Sequence, residues 1–370
     1  MARGSISIGK LSGISINIDY SWFFIFLLVT WSLAGSYFPS VFPEWGLVQS
    51  ISAGIITSLL FFASVLAHEL GHSITAQRHG IPVKSITLFI FGGLANISRE
   101  PESSGVEFKI AIAGPLTSFL LGIVFWALYF LLPSPRFDGV AEIAFWLGLT
   151  NVILAVFNLL PGFPLDGGRV LRAIIWKVGK NPQKATKWVS NTGKIIAYLM
   201  IAAGIALFFT GYTLNGLWLA FIGWFLSSAA SGSSRQVSLQ QKLQGYSVGE
   251  LMNTNYVKIP AYISIEEMYN QYIKNNKKSY LVVTSGNETL GLVNMNLLRN
   301  LDKKHWSFKT ASEVMTPIAQ LRYLPPEAGL IAALQLFQQE KTDQLPVARD
   351  AEIIGLISYD DLMDFLNRKA

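Results

Sequence analysis

Residues 47–72 read LVQSISAGIITSLLFFASVLAHELGH, an apolar run that ends in His68-Glu69-Leu70-Gly71-His72. A bilayer-spanning helix needs about 20 apolar residues, and this run supplies them. On a helix, positions i and i+4 share a face, so His68 and His72 can reach one metal ion together. Glu69 projects beside them, placed to take a proton from water at that metal. The chain holds 4 histidines and two of them stand here. The plainer reading of the same five residues is a buried histidine pair satisfied by backbone or water.

Working outward, composition sets the class. Hydrophobic residues make up 51% of the chain and charged residues 14%, against a usual quarter. With a mean hydropathy of +0.40, the sequence predicts a membrane protein with a soluble part. There is no cysteine, which excludes a disulfide framework and thiolate metal ligands, so ligands must be histidine and carboxylate. Six apolar stretches precede residue 231, at about 20–37, 47–70, 108–132, 141–160, 195–212 and 214–230. The last two are short, with an Asn215-Gly216 break between them.

Charge predicts the orientation. Arg3 and Lys10 precede the first stretch, and Arg78, Lys84, Arg99 and Lys109 lie between the second and third. Seven Lys and Arg residues from Arg169 to Lys194 separate the fourth from the fifth, Arg235 and Lys242 follow the sixth, and the alternate loops hold Arg136. This positive-inside pattern places both termini in the cytoplasm and accounts for the net charge of +6 without nucleic acid. The expected location is a cell membrane, plasma or inner. The N-terminus shows no signal-peptide cleavage pattern.

The second and fourth stretches then both end on the cytoplasmic side. The fourth ends Asn158-Leu159-Leu160-Pro161-Gly162-Phe163-Pro164-Leu165-Asp166-Gly167-Gly168. Asp166 lies in a Pro/Gly-broken segment on the same side as the histidines, and an ionisable residue at such depth is a functional candidate. Two histidines and one carboxylate, with a fourth position for water, make a catalytic zinc set. Alternatively, Asp166 caps a helix that begins near Gly167.

The HExxH on an apolar helix, followed by Asn-x-x-Pro-x-x-Pro-Leu-Asp-Gly, resembles the site-2 protease family of intramembrane zinc metalloproteases. Phe91-Gly92-Gly93 and Ala113-Gly114-Pro115 fit the same family, and the likeness covers about residues 1–230. The resemblance implies that His68, His72 and Asp166 bind Zn2+ and that Glu69 is the general base. It places Asn158 and Pro161 in a substrate-contacting motif, where Asn158 would hold the substrate strand or the oxyanion. A substrate helix must unwind before its peptide bonds can be attacked. The β-rich segment 83–97 could then offer an edge for strand addition, with Gly92 and Gly93 letting backbones approach. It could equally be a membrane-dipping hairpin that supports the fold. Ala113-Gly114-Pro115 reads as close helix packing rather than chemistry.

Past Ala230 the composition changes. Residues 231–244 read as a Ser-rich linker. Two segments then repeat with a period near 63, 245–305 and 306–370. Leu251-Met252-Asn253 corresponds to Val314-Met315-Thr316, and Gly291-Leu292-Val293 to Gly355-Leu356-Ile357. The pattern resembles a tandem CBS pair. The resemblance implies an adenine nucleotide (ATP, ADP or AMP) held by Ser358 and Asp361, since the first repeat has Asn294 and Leu297 at those places. It also implies a homodimer through the CBS domains. The alternative is a ligand-free module for dimerisation and substrate docking.

The expected architecture is an α-helical multi-pass membrane domain of about six spans with a short β segment, followed by an α+β CBS pair. The expected function is hydrolysis of membrane-spanning or membrane-associated regulatory proteins near the cytoplasmic face of the bilayer. A CBS-bearing ion transporter and a non-catalytic scaffold are the rival readings.

Overall fold

Apolar runs without internal charge form helices because, away from water, a helix satisfies every backbone polar group within one segment. The computed structural model describes residues 5–132, 137–274, 281–286, 288–293, 301, 303–340, 342–349 and 352–368, without the side chains of 233–237, 240 and 241. Arg136, Asn294 and Leu297 lie outside them, as does the closing helix expected of the first repeat.

Among the described residues, six helices are long and apolar enough to cross a membrane. They are α1 (Tyr20–Val41), α2 (Leu47–Arg78), α3 (Ser104–Leu131), α4 (Asp138–Asn158), α6 (Pro182–Phe209) and the part Thr213–Gly232 of α7 (Thr213–Leu243). A seventh, amphipathic helix, α5 (Asp166–Gly179), lies between α4 and α6. Large apolar side chains such as Trp31, Phe130 and Phe209 point outward, which suits a surface facing lipid rather than water.

Two boundaries differ from expectation. The fifth span starts at Pro182, because Asn181 caps it by accepting a hydrogen bond from the Lys184 backbone. The break before the sixth falls at Gly211, whose φ is +96°, while Asn215-Gly216 lies inside α7. The segment 231–244 is helical as far as Leu243. The chain divides into compact units between Val237 and Ser238, inside that segment.

In the first unit the segment 83–97 forms β3 (Val83–Phe89) and β4 (Gly92–Ile97), joined by a tight turn. It belongs to a sheet of order β1-β2-β3-β4, with an N-terminal hairpin of β1 (Ser5–Leu11) and β2 (Ile14–Asp19). The sequence reading missed that hairpin, although Ile14, Ile16 and Ile18 alternate with polar residues at the period of a strand. Strands β2 and β3 pair in parallel, so α1 and α2 together form the crossover. Ile14, Ile16, Val83 and Ile86 are buried with Ala76 of α2 and Ile110 of α3. This core seats the sheet against the end of α2 that carries the histidines, and β4 lies at the sheet edge.

The second unit holds the repeats. In the first, β5 (Val257–Pro260) pairs in parallel with β6 (Leu281–Ser285), which pairs antiparallel with β7 (Glu288–Val293). In the second, Leu324 bridges in parallel to β9 (Gln344–Arg349), which pairs antiparallel with β10 (Glu352–Ser358). Helices α8 (Leu330–Glu340) and α9 (Tyr359–Arg368) pack on the second repeat. The repeats exchange their leading segments. Asn253 pairs with Leu356 of the second repeat, and Thr316, in β8 (Thr316–Pro317), pairs with Leu292 of the first. Gly291 and Gly355 supply the room: a Cβ at Gly355 would meet Met252 Sδ at 2.9 Å, and one at Gly291 would meet Met315 Sδ at 3.2 Å. The recurring Met and Gly motifs are the two halves of this exchange.

Candidate metal centre

One turn of α2 places His68 and His72 side by side, each 4% exposed. Asp166 arrives from a different helix. The chain leaves α4 at Asn158, turns through 159–165 and enters α5 with Asp166 as its first residue. The two Nε2 atoms are 3.2 Å apart, and each lies 3.1 Å from Asp166 Oδ2. Among the described residues this is the one group of three metal-capable side chains gathered so closely. Asp166 does not act as the helix cap: Leu165 holds that position without a side-chain hydrogen bond, and the Asp166 carboxylate turns to the histidines.

The far ring nitrogens are occupied by α3. His72 Nδ1 donates to the Ile110 carbonyl at 2.6 Å, and His68 Nδ1 lies 2.9 Å from Ser118 Oγ. A carbonyl can only accept, so Nδ1 of His72 carries a proton, and in the neutral ring Nε2 turns its lone pair to the same point as the carboxylate. Such second partners set the ring orientation of metal-ligating histidines. Tetrahedral zinc with ligands at 2.0–2.1 Å requires ligand atoms about 3.3 Å apart. The observed triangle of 3.1 to 3.2 Å has those dimensions, so the residues present fit zinc.

Two glycines let neighbouring backbones reach the centre. A Cβ on Gly114 would collide with both imidazoles, and a Cβ on Gly93 would collide with the Glu69 side chain. Ala113-Gly114-Pro115 is therefore helix packing, as its small residues imply, but packing against the His68 and His72 rings themselves. Gly92 carries a φ of +124° where β4 begins. The turn residue Phe91 stacks on Phe225 of α7, with ring centroids 4.1 Å apart. Asn158 Nδ2 donates to Leu154 O at 3.0 Å in its own helix, and Pro161 is exposed. Sequence reasoning passed over Ser118 and the Ile110 carbonyl. Ser118 could have been noticed as a hydroxyl in an apolar helix, four residues beyond Gly114; a backbone carbonyl leaves no sequence signal.

In the second unit, Ser358 and Asp361 engage each other at the start of α9. Ser358 Oγ donates to Asp361 Oδ2 at 2.6 Å, and the Asp361 backbone donates to Ser358 Oγ at 3.0 Å. A separate cleft of about 260 Å³ is lined by Val293, Thr316, Arg322 and Thr342 among others, and its lining excludes Ser358 and Asp361.

The pattern of peptidase family M50 matches residues 56–137 and 134–202, and that of the CBS domain matches 248–301 and 311–368. The chain is 34% identical over 373 residues to sll0528 of Synechocystis sp. strain PCC 6803, covering 100% of this chain and 97% of that protein. The chain belongs to peptidase family M50. It is also 32% identical over 363 residues to Rip3 of Mycobacterium tuberculosis, covering 97% of this chain and 92% of the relative. Both relatives are named, provisionally, as zinc metalloproteases. A solved site-2 protease from Methanocaldococcus jannaschii shares 33% identity, covering 62% of this chain and 95% of that one, with a TM-score of 0.44. As an M50 member with CBS domains the chain is a zinc metalloprotease of the site-2 type and a multi-pass membrane protein. This membership sets aside the transporter and the non-catalytic scaffold.

Proposed function

We propose that the chain cuts membrane-spanning or membrane-associated regulatory proteins near the cytoplasmic face of a plasma or inner membrane, with both termini cytoplasmic. His68, His72 and Asp166 hold the zinc. Zinc there supplies a Lewis acid that polarises the scissile carbonyl and acidifies water. Glu69 takes the proton from the attacking water and delivers it to the leaving amine. The unwound substrate strand adds to the β4 edge, where the Gly92-Gly93 backbone brings it beside Glu69. Asn158 and Pro161 line the approach from the end of α4, and Asn158 steadies the strand or the oxyanion. The CBS pair adjusts access to the site, binds an adenine nucleotide through Ser358 and Asp361, and associates with the pair of a second copy.

The observation that carries this reading is the meeting of three ligand atoms, from two helices far apart in sequence, at zinc-like separations one residue away from Glu69. The test is the zinc content of purified wild type and Asp166→Asn by mass spectrometry. About one zinc per chain in the wild type, sharply reduced in the variant, is the expected result. Full zinc in Asp166→Asn would remove that residue from the ligand set.

A further inference from the structure

Helix α3 presents one buried stripe to the centre: Glu107, Ile110, Gly114 and Ser118. Three of these have a job already. Ile110 orients His72, Gly114 admits the imidazoles, and Ser118 faces His68. The fourth, Glu107, is 1% exposed, and its Oε1 lies 3.2 Å from Arg172 Nε. Arg172 belongs to α5, six residues beyond Asp166, and its Nη2 reaches Glu100 at 3.2 Å, just after β4. The other oxygen of Glu107 and Arg172 Nε are both buried without a hydrogen-bond partner among the described residues, so charge at 3.2 Å rather than a directed hydrogen bond joins the pair.

We propose that Glu107 and Arg172 are positioning residues for the metal: their ion pair sets the register of α5 against α3 so that Asp166 meets His68 and His72. The proposal rests on the zinc reading above. His68 and His72 are held relative to each other by their own helix, whereas Asp166 enters from the irregular segment 159–165 and needs an external anchor. Six residues of helix form a lever of about 9 Å. A tilt of about 5° about Arg172 would carry Asp166 about 0.8 Å, several times the roughly 0.2 Å that a metal site tolerates. Stability alone is a weak reason for such a pair, because well-packed apolar residues commonly replace buried ion pairs without loss. The guanidinium does something an apolar pair cannot: its charge holds α5 to Glu107 on α3 while its Nη2 donates a hydrogen bond to Glu100 after β4.

The test uses the full chain in detergent. Zinc affinity is measured by chelator competition, the visible spectrum of the cobalt-loaded protein reports ligand geometry, and thermal unfolding reports stability. Glu107→Gln and Arg172→Gln are expected to weaken zinc binding about 10- to 100-fold and to alter the cobalt spectrum. Arg172→Lys, which keeps the charge and loses the fork, should fall between these and wild type. The pair Glu107→Leu/Arg172→Met removes both charges, so it should unfold near the wild-type temperature yet keep the weakened zinc affinity. If that double variant bound zinc as tightly as wild type, with an unchanged cobalt spectrum, the pair would be a stability feature only. Should a single variant fail to fold, the double variant decides. Asp166→Asn in the same series separates the two claims. Zinc lost there but unchanged in the pair variants would overturn this proposal alone, and zinc unchanged in Asp166→Asn would overturn the ligand reading beneath it.

Discussion

Substituting Gly114 by alanine sets helix propensity against metal geometry. A Cβ at this position would sit 2.5 Å from His72 Cε1 and 2.7 Å from His68 Nε2. Ordinary contacts between such atoms are about 3.5–4.0 Å, so α3 and the imidazoles must separate by about 1 Å. That is roughly five times the ±0.2 Å tolerance of a metal site. The shift also stretches the 2.6 Å bond from His72 to the Ile110 carbonyl on the same helix. Zinc affinity should fall at least as far as for loss of a second partner, about 10- to 100-fold or ~1.4–2.7 kcal/mol. Yet alanine raises intrinsic helix stability by about 1 kcal/mol over glycine. The change should therefore weaken metal binding in a helix that is no less well formed. Chelator competition on Gly114→Ala, with circular dichroism for helix content, measures both. Gly105→Ala is the matched control, because it lies on α3 with nothing within 4 Å of its Cβ position. Stoichiometric zinc at wild-type affinity in Gly114→Ala would show that α3 does not press on the ligands at that point.

Other outcomes follow from the same geometry. Glu69→Gln should retain zinc and lose cleavage by about 10²-fold or more; metal analysis beside a proteolysis assay checks it, and a metal-free variant would make Glu69 a ligand rather than the base. Ser118→Ala removes the partner of His68 Nδ1 and should weaken zinc binding about 10-fold without altering helix content, read by the same competition assay. Asp361→Ala should abolish adenine-nucleotide binding in titration calorimetry. Because Asp361 and Ser358 also bond each other at the start of α9, it should destabilise the CBS unit by about 1 kcal/mol as well. Undiminished nucleotide binding would move the ligand to the cleft beside Thr316 and Thr342.

What could be read from the sequence is what depends on near neighbours in the chain. The face shared by His68 and His72 follows from 3.6 residues per turn, and the six spans follow from run length against bilayer thickness. The CBS repeats show in recurring residues such as Met252 and Met315. Ser and Gly after Ala230 marked a linker, but not that the segment is helical as far as Leu243. Asp166 was nominated by its depth and membrane side, but its approach to within 3.1 Å of residues 94 and 98 positions away is a fact of packing. The same holds for the parallel pairing of β2 with β3 across two spans, for Gly93 on Glu69, and for Gly114 against the imidazoles. Periodicity and charge constrain each segment by itself. Which segments meet, and at what register, is decided only when the helices close on one another, because a close approach depends on the side chains of both partners.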